Sequence, residues 1–500
     1  MATKHVLAID AGTTGVTCLV VGADGTIAGR GYRELQQHYP QPGWVEHDLA
    51  EIADAVRVAG REAVTASGTT PVCIGITNQR ETVGVWQRSS LGPLRRAIVW
   101  QDRRTAPRCA ALGDRADWLR ERTGLEVDPY FSATKLEWLL NEGGIRDEVG
   151  ATGIDGGDLC AGTIDSWIIA QLTGGAVHAT DPTNASRTML YDIDERGWSA
   201  ELCEVFGIPM SMLPEVRPSS GSFGTAGAGW FGMELPILGV AGDQQAALFG
   251  QGAWTPGSGK NTYGTGAFVL MNVGAARPPA AKGVLTTIAC DAQGGAVYAL
   301  EGAIFIAGAA VQWLRDALGI IETAAETEAL ARSLASNEGV YFVPALTGLG
   351  APEWEPAARG MIVGLTRGSS RAHLARAALE SMAYATADVL ALMGDRANVR
   401  FERLRVDGGA AANDWLMQFQ ADVLGVPVER PAIVETTALG AAGLAGLAAG
   451  VWPDAESFLQ ARTVTVFEPA ADRSTDAALA GWHRAVRATV GWARDAERER

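Results

Sequence analysis

The stretch Asp10-Ala11-Gly12-Thr13-Thr14-Gly15 follows an apolar run that begins at His5 and precedes a second one, Cys18 to Val21. This pattern predicts two β-strands joined by a tight turn of small residues. The two glycines allow the backbone to approach an anion, and the two threonine hydroxyls can donate hydrogen bonds to it. The aspartate suits a hydrated Mg²⁺ beside a phosphate. The stretch is therefore a candidate phosphate-binding hairpin, although an ordinary β-hairpin also explains it.

A second stretch, Asn261-Thr262-Tyr263-Gly264-Thr265-Gly266, repeats this pattern about half the chain length further on. It too is followed by an apolar run, Val269 to Val273. The first stretch is not a Walker motif, because no lysine follows its glycines and a strand rather than a helix comes next. Two related halves would form a clamp around one nucleotide, while a chance resemblance of two short turns stays open.

Length and composition indicate a folded protein of two domains, which we place at residues 1–250 and 251–500, because 500 residues exceed what one core usually supports. The net charge of -16 argues against nucleic acid or an anionic membrane as the main partner. The six cysteines are far apart in the sequence and the six histidines form no cluster. We therefore expect reduced thiols, a cytoplasmic location and no transition-metal site.

One uncharged segment, Thr436 to Pro453, is long enough to raise the question of a membrane span. Alanine and glycine dominate it, so its hydrophobicity is weak for insertion. A buried helix of small residues that starts at Thr436 or Thr437 explains it better. The chain starts its first strand within a few residues, so we expect neither a targeting peptide nor stable membrane insertion.

Short β-like runs alternate with helical ones, which predicts a mixed α/β fold. The predicted helices are Asp48 to Thr65, Thr134 to Asn141, Ile304 to Leu318, Ala372 to Met393 and Asn413 to Leu424.

Two loops follow predicted strands and open predicted helices. Pro236 to Ala241 ends in Gly242-Asp243-Gln244-Gln245, so Asp243 is placed where substrates of α/β sheets usually bind. Asp243 is our candidate base for a nucleophilic hydroxyl, and a helix cap is the alternative. The second loop, Asp407-Gly408-Gly409-Ala410, precedes Asn413, which can cap the next helix or meet a nucleotide.

The polar stretch Thr77-Asn78-Gln79-Arg80-Glu81-Thr82 lies between two apolar strands. The adjacent Arg80 and Glu81 can donate to and accept from neighbouring hydroxyls of one small polyol. An exposed ion pair is the alternative. Trp100 ends the run Ala97 to Trp100 and could pack against the carbon skeleton of such a ligand, or simply belong to the core.

These motifs, with Asp128-Pro-Tyr-Phe-Ser-Ala-Thr-Lys, Ala241-Gly-Asp-Gln-Gln, Pro344-Ala-Leu-Thr-Gly-Leu-Gly-Ala-Pro and Glu435-Thr-Thr-Ala-Leu-Gly, jointly resemble the FGGY carbohydrate kinase family. The resemblance runs from the first strand to about Trp452. It implies two ribonuclease-H-like domains of the actin and sugar-kinase superfamily, with ATP and substrate in the cleft between them.

The resemblance also implies an activity, namely phosphorylation of glycerol by ATP to sn-glycerol 3-phosphate, with Mg²⁺ on the phosphates. Asp243 would be the general base, and Asp10 and Asp243 would hold the metal through water. Glycerol would contact Arg80, Glu81, Trp100, Tyr130, Asp243, Gln244 and Phe268. The nucleotide would contact Thr13, Thr14, Thr265, Gly308, Gln312, Gly409 and Asn413.

The chain departs from the family pattern in two places. Members often carry Gln, Ser and Arg where this chain has Ala11, Gly15 and Thr17. We therefore expect one phosphate contact fewer at this hairpin. The stretch Gly229 to Glu234 lacks the loop through which some bacterial members bind fructose 1,6-bisphosphate, so we expect that sugar phosphate to have little effect.

Other functions stay open from the sequence. The substrate could be another polyol or a ketose, which the same fold also serves. A different class is an actin-like ATPase in which nucleotide drives conformation and no small alcohol is phosphorylated. The dense polar stretch at Arg80 and Glu81 favours a polyol kinase. A homo-oligomer is also left open.

Overall fold

A computed structural model describes residues 3–155, 157–433, 435–460, 462–471 and 475–498. The strands of the first half are β1 (His5–Ala11), β2 (Gly15–Gly22), β3 (Ile27–Glu34), β4 (Glu46–His47), β5 (Cys73–Asn78), β6 (Val83–Gln87), β7 (Ala97–Ile98), β8 (Leu159–Thr163), β9 (Ala179–Thr180), β10 (Tyr191–Asp192), β11 (Gly197–Trp198), β12 (Glu215–Val216), β13 (Thr225–Ala226) and β14 (Leu235–Gly242). Its helices are α1 (Leu49–Ser67), α2 (Ala106–Ala111), α3 (Ala116–Thr123), α4 (Ser132–Leu140), α5 (Ile145–Asp155), α6 (Ile164–Leu172), α7 (Pro182–Ala185), α8 (Ala200–Val205), α9 (Ala228–Phe231) and α10 (Asp243–Gly250).

The second half continues with β15 (Ser258–Tyr263), β16 (Ala267–Gly274), β17 (Leu285–Cys290), β18 (Ala296–Ile304), β19 (Tyr341–Val343), β20 (Met361–Val363), β21 (Arg403–Asp407), β22 (Val428–Pro431) and β23 (Val464–Phe467). Its helices are α11 (Gly308–Asp316), α12 (Glu326–Arg332), α13 (Arg371–Ala397), α14 (Asp414–Leu424), α15 (Thr436–Ala448), α16 (Ala455–Gln460) and α17 (Asp476–Arg498). Short 3₁₀ turns cover Gly113–Arg115, Met210–Met212 and Gly409–Ala412.

Two large sheets share one topology. In the first, with strand order β13-β14-β5-β1-β2-β3, β1 runs antiparallel to β2 and parallel to β5. In the second, with order β17-β18-β16-β15-β21-β22-β23, β15 runs antiparallel to β16 and parallel to β21. The two Gly-Thr turns therefore occupy corresponding positions, each joining the central strand of its sheet to an antiparallel neighbour. This repeat confirms the two-domain α/β fold.

Local signals account for the first long helix. The carboxylate of Asp48 accepts hydrogen bonds from the N–H groups of Ala50 and Glu51, and Gly68 ends the helix with φ +60°. Buried residues such as Ile52, Val56 and Ala59 recur at helical spacing along α1 and face the first sheet. Capping and periodicity thus agree, and the helix that periodicity predicted over Asp48 to Thr65 is confirmed.

Helix α15 joins the two halves. It comes from the second half but packs against β1, β5, β14 and α10 of the first. A Cβ atom at Gly440 would lie 1.8 Å from the carbonyl oxygen of Ala246, and one at Gly75 would lie 2.1 Å from that of Ala441. Only glycine permits these approaches, which confirms the predicted buried helix of small residues. Within the described residues, no helix is long and apolar enough to cross a membrane.

One predicted helix was wrong at its start. The sequence predicted a helix over Ile304 to Leu318, but β18 continues through Ile304, which pairs with Ala267 of β16. The helix α11 begins only at Gly308. An apolar run of this length fits a buried strand as well as a helix, and sheet pairing decides between them here. The six cysteines are all unpaired with one another and buried, as expected for reduced core thiols.

Candidate active site

Arg80 and Glu81 lie in the turn between β5 and β6, and both side chains are buried, which contradicts an exposed ion pair. Arg80 donates to both oxygens of Glu301 on β18, from Nη1 to Oε2 at 2.5 Å and from Nη2 to Oε1 at 3.2 Å. Arg187, which follows α7, donates from Nε to Oε1 of Glu81 at 2.7 Å and from Nη2 to Oε1 of Glu301 at 2.9 Å. The four residues form a buried ring of alternating charge, which we call the charge ring.

Within the charge ring, the two arginines stabilise the charged form of Glu301, whereas burial raises the pKa of Glu81. Burial alone would raise the pKa of Glu301, but the guanidinium groups of Arg187 and Arg80 overcome this and lower it to about 2. Glu81 adopts the left-handed backbone conformation at φ +62°, which is strained for a residue with a side chain. Its carbonyl oxygen accepts a hydrogen bond from Ser132 Oγ at 2.9 Å. These bonds hold a strained turn in one geometry, as is common at functional sites.

Asp243 is the first residue of α10, at the carboxyl end of β14. The N-cap is Gly242, and no side chain caps this helix, so Asp243 does not serve as the cap. Its Oδ1 lies 3.2 Å from Nε of Arg80, and its side chain is 28% exposed whereas that of Arg80 is 2% exposed. A Cβ atom at Gly242 would lie 2.7 Å from Cγ of Arg80, so glycine at this position leaves room for the arginine side chain. Asp243 is thus a reachable carboxylate beside a buried cationic group.

Aromatic side chains stand next to this carboxylate. Trp100 and Tyr130 contact edge to face, with ring centroids 5.6 Å apart, and Arg80 Nη2 donates to the hydroxyl of Tyr130 at 3.3 Å. Trp100 also donates from Nε1 to Oγ1 of Thr13 at 2.9 Å. The side of the candidate polyol site next to Asp243 therefore combines apolar ring faces with hydrogen-bonding groups. Trp100 links it to the first Gly-Thr hairpin through the hydrogen bond to Thr13.

Of the remaining predicted polyol residues, Gln244 belongs to α10 of the first half and Phe268 to β16 of the second. The side-chain oxygen of Gln244 accepts a hydrogen bond from Nζ of the buried Lys260. Burial lowers the pKa of Lys260 to about 8, while Asp407 and Asp243 oppose this change. Phe268 lies opposite Thr262 in the β15–β16 pair and packs against a separate apolar cluster that includes Leu248. Its contact with a ligand stays a prediction.

Asp10 lies near the end of β1 and accepts a hydrogen bond from the hydroxyl of Thr437 on α15. Burial raises the pKa of Asp10 to about 7, the hydroxyl of Thr437 opposes this, and the charge of Asp243 adds to it. A cation beside these two carboxylates would favour their charged forms. Within the described residues, no group of three or more His, Cys, Asp or Glu side chains forms a metal site. Two carboxylates fit a Mg²⁺ that completes its shell with water and phosphate oxygens.

A cavity of about 520 Å³ opens beside the second Gly-Thr hairpin. The turn is closed by a hydrogen bond of 2.8 Å from Gly264 N–H to Gly266 C=O, and Gly308 N–H bonds to Gly264 C=O at 3.0 Å. Five predicted nucleotide residues line this cavity, namely Thr265, Gly308, Gln312, Gly409 and Asn413. Asn413 also caps α14 through Leu416 N–H at 2.9 Å. The structure thus brings these five residues together, while Thr13 and Thr14 lie on the hairpin of the other domain.

The departure at position 15 has a steric reason. A Cβ atom at Gly15 would lie 2.6 Å from the hydroxyl of Tyr32 and 2.7 Å from the carbonyl oxygen of Arg33. Tyr32 pairs with Thr17 across the β2–β3 ladder. A serine at position 15 would collide with this neighbouring strand, so Gly15 matches the local sequence of β3. The expected loss of a phosphate contact at Thr17 stays a prediction.

Four residues of the site were missed by sequence reasoning, namely Arg187, Glu301, Lys260 and Thr437. Each is polar and buried or bonded to a predicted residue. Their local sequence carries little signal: Glu301, for example, is the only charged residue of β18. A lone charge within an apolar strand is the one signal that could have found it, since unpaired buried charges are costly.

Lys135 of α4 is another buried group of the site. Its Nζ donates a hydrogen bond to the backbone carbonyl oxygen of Tyr130 at 2.6 Å. Burial lowers the pKa of Lys135 to about 7, although nearby carboxylates such as Glu81 oppose this. At a pH between this value and the ordinary lysine pKa, the side chain of Lys135 is protonated in the unfolded chain but not in the folded protein. Stability of the folded protein should therefore rise with pH across that window.

We expect Lys135→Met to remove this dependence. From pH 7 to 9.5, the wild type should gain stability relative to the variant by up to about 1.4 kcal/mol per pH unit, measured by chemical denaturation. Lys282→Met, at an exposed lysine, is the control and should behave as the wild type. Parallel stability curves for Lys135→Met and the wild type would contradict the assignment.

Taken together, the duplicated fold, the Gly-Thr hairpin in each half and the reachable carboxylate define a two-domain kinase of the actin and sugar-kinase type. Residues 5–250 match the N-terminal domain, and residues 259–449 the C-terminal domain, of the FGGY family of carbohydrate kinases. The chain belongs to this family.

Relatives of known name cover nearly the whole chain. A glycerol kinase from Dechloromonas aromatica is 53% identical over 498 residues, which cover 98% of each chain. Glycerol kinase 2 of Thermotoga maritima is 50% identical over 497 residues, covering 98% of this chain and 99% of its own. The crystal structure of Plasmodium falciparum glycerol kinase with ADP is 34% identical and has a TM-score of 0.91, covering 97% of this chain and 98% of that one.

Proposed function

We propose that this chain transfers the γ-phosphoryl group of ATP to a terminal hydroxyl of glycerol and produces sn-glycerol 3-phosphate. The observation that carries the proposal is the position of Asp243, a reachable carboxylate 3.2 Å from Arg80 and next to a small wall of aromatic and polar groups. Three full-length relatives named glycerol kinases support the same substrate.

Asp243 acts as the general base. A primary alcohol is scarcely ionised at neutral pH, so a carboxylate that accepts its proton as the bond to phosphorus forms should speed the reaction by about 10²- to 10⁴-fold. Arg80 holds this carboxylate from one side. Glycerol contacts Arg80, Glu81, Trp100, Tyr130, Gln244 and Phe268, with the aromatic rings against its carbons.

The nucleotide occupies the cavity of about 520 Å³ beside the second hairpin, where Thr265, Gly308, Gln312, Gly409 and Asn413 contact it. The phosphates extend towards the first hairpin, where Thr13 and Thr14 donate hydrogen bonds. Asp10 and Asp243 would hold Mg²⁺ through water. Bound Mg²⁺ neutralises phosphate charge and so favours attack by an oxygen nucleophile.

The chain divides into two functional domains. Residues 1–250 carry the polyol site and the first hairpin, and residues 251–500 carry the second hairpin and the nucleotide cavity. Helix α15 crosses this division by packing on the first sheet. The six free, buried thiols are consistent with a cytoplasmic protein. Little effect of fructose 1,6-bisphosphate stays a prediction, as does any homo-oligomer.

A coupled assay of ADP release with and without glycerol tests the proposal. We expect glycerol to stimulate ADP release strongly and to give a higher kcat/KM than xylulose or erythritol. A higher kcat/KM for xylulose would assign a ketose kinase instead. ADP release that is independent of any polyol would contradict a kinase function and favour the actin-like ATPase.

Two neighbouring glycines give a prediction about the nucleotide cavity. Gly408 has φ +86° and its Cβ would lie 2.3 Å from the carbonyl oxygen of Tyr263, so Gly408→Ala should destabilise the fold by about 1–3 kcal/mol. Gly409 has open space around its Cβ and lines the cavity. We expect Gly409→Ala to keep the wild-type unfolding temperature but to raise KM for ATP. Unchanged KM for ATP in Gly409→Ala would contradict its nucleotide contact.

A further inference from the structure

The charge ring contains one residue from the other domain. Arg80, Glu81 and Arg187 belong to the first half, whereas Glu301 lies on β18 in the second sheet. All four are nearly or fully buried, with exposures of 3%, 1%, 0% and 0% in chain order. The polyol site is therefore completed by a carboxylate that the nucleotide-binding half supplies.

Glu301 determines which nitrogen atom of Arg80 lies next to Asp243. Both Nη atoms of Arg80 are bound to Glu301, at 2.5 and 3.2 Å, and only Nε points towards Asp243, at 3.2 Å. A planar guanidinium prefers to bind one carboxylate through two parallel hydrogen bonds. If Glu301 were absent, Arg80 could turn and form such a pair with Asp243 instead.

Arg187 binds both carboxylates of the charge ring. It binds Glu301 at 2.9 Å and Glu81 at 2.7 Å, so Glu301 also fixes the arginine that holds the strained turn at Glu81. Removing the carboxylate of Glu301 would leave Arg80 and Arg187, two buried cations, with Glu81 and the reachable Asp243 as their carboxylate partners.

We propose that Glu301 is a positioning residue for polyol binding, which binds both Nη atoms of Arg80, prevents them from pairing with Asp243 and so keeps both residues in the arrangement that meets the substrate. This inference rests on the proposed kinase function. It assigns to Glu301 of the second domain an indirect part in polyol recognition, in addition to that domain's nucleotide cavity. Glu301 acts through Arg80 and does not itself contact the substrate.

The test replaces Glu301 by glutamine in the full-length chain. We expect KM for glycerol to rise at least tenfold, KM for ATP to change less than threefold, and kcat to fall less than the glycerol KM rises. Glu301→Asp, which keeps the charge but is one methylene shorter, should give an intermediate glycerol KM and serves if the glutamine variant does not fold.

Glu380→Gln is the matched control. Glu380 is a buried carboxylate of the same domain, paired with Arg376 at 2.7 Å on α13. We expect Glu380→Gln and Glu301→Gln both to lower the unfolding temperature. Only Glu301→Gln should raise the glycerol KM. An equal rise in glycerol KM for both variants would show a general loss of packing and overturn the proposal.

A double-mutant cycle separates positioning from an independent role. In an Arg80→Met background, Glu301→Gln should add less than a twofold change in glycerol KM, because Glu301 acts on the polyol site through Arg80. A further tenfold rise in KM would overturn the proposal. If the wild type shows no glycerol-dependent ADP release, the kinase function itself fails. If the wild type is active but Glu301→Gln and Glu301→Asp match it, only this inference fails.

Discussion

Asp243→Asn is expected to lower kcat by about 10²- to 10⁴-fold while the protein stays folded and binds ATP. The asparagine oxygen can still accept from Arg80 Nε and from Gln244 N–H, which bonds to Asp243 Oδ1 at 2.7 Å, so the local geometry persists. An amide, however, cannot accept the proton of the substrate hydroxyl. The nucleotide cavity contains no part of Asp243, so ATP affinity should change little.

Steady-state kinetics and calorimetric titration with ATP measure these two expectations separately. Asp192→Asn is the control, because Asp192 is a buried carboxylate paired with Arg122 at 2.9 Å and does not line the nucleotide cavity. This variant should keep a kcat within about twofold of the wild type, because Asp192 has no part in the proposed reaction. Near-normal turnover by Asp243→Asn would exclude Asp243 as the base.

Arg80→Met is expected to cause the second largest loss. Removing this guanidinium leaves Glu301 with Arg187 as its remaining arginine partner, and breaking a buried pair in this way costs about 3–5 kcal/mol of folding stability. The lost charge-assisted hydrogen bond to glycerol should raise its KM by about 10- to 100-fold. KM for ATP should rise much less, because Arg80 does not line the nucleotide cavity.

Arg376→Met is the matched control for Arg80→Met. Arg376 is also buried, and it pairs with Glu380 at 2.7 Å on α13. Both variants should lower the midpoint of chemical denaturation, but only Arg80→Met should raise the glycerol KM. A normal glycerol KM in a folded Arg80→Met protein would remove Arg80 from the polyol site.

Local motifs explain why much of the fold and site could be predicted from the sequence. The hairpins at Gly12 and Gly264 depend on turn residues within a few positions, and α15 shows its burial in its own composition. Asp243 and Asp407 each lie at the carboxyl end of a strand in their own sheet, β14 and β21, which is where α/β folds usually place ligand-binding residues. These features are short in range or follow from general rules of α/β folds.

Tertiary contacts explain what could not be predicted. Glu301 meets Arg80 across 221 positions of sequence, and Arg187 meets Glu81 across 106, so no local pattern connects either pair. The start of α11 was misplaced because Ile304 belongs to an apolar run whose conformation is decided by pairing with β16. Tyr32, whose ring and hydroxyl leave no room for a side chain at Gly15, acts through strand pairing in the same way.

The central claim is that phosphate moves from ATP to a terminal oxygen of glycerol. Its most direct test is ³¹P NMR of a reaction with ATP, Mg²⁺ and glycerol, combined with an assay specific for sn-glycerol 3-phosphate. We expect one molecule of sn-glycerol 3-phosphate for each ADP formed. ADP that accumulates together with inorganic phosphate, without phosphorylated glycerol, would contradict the claim.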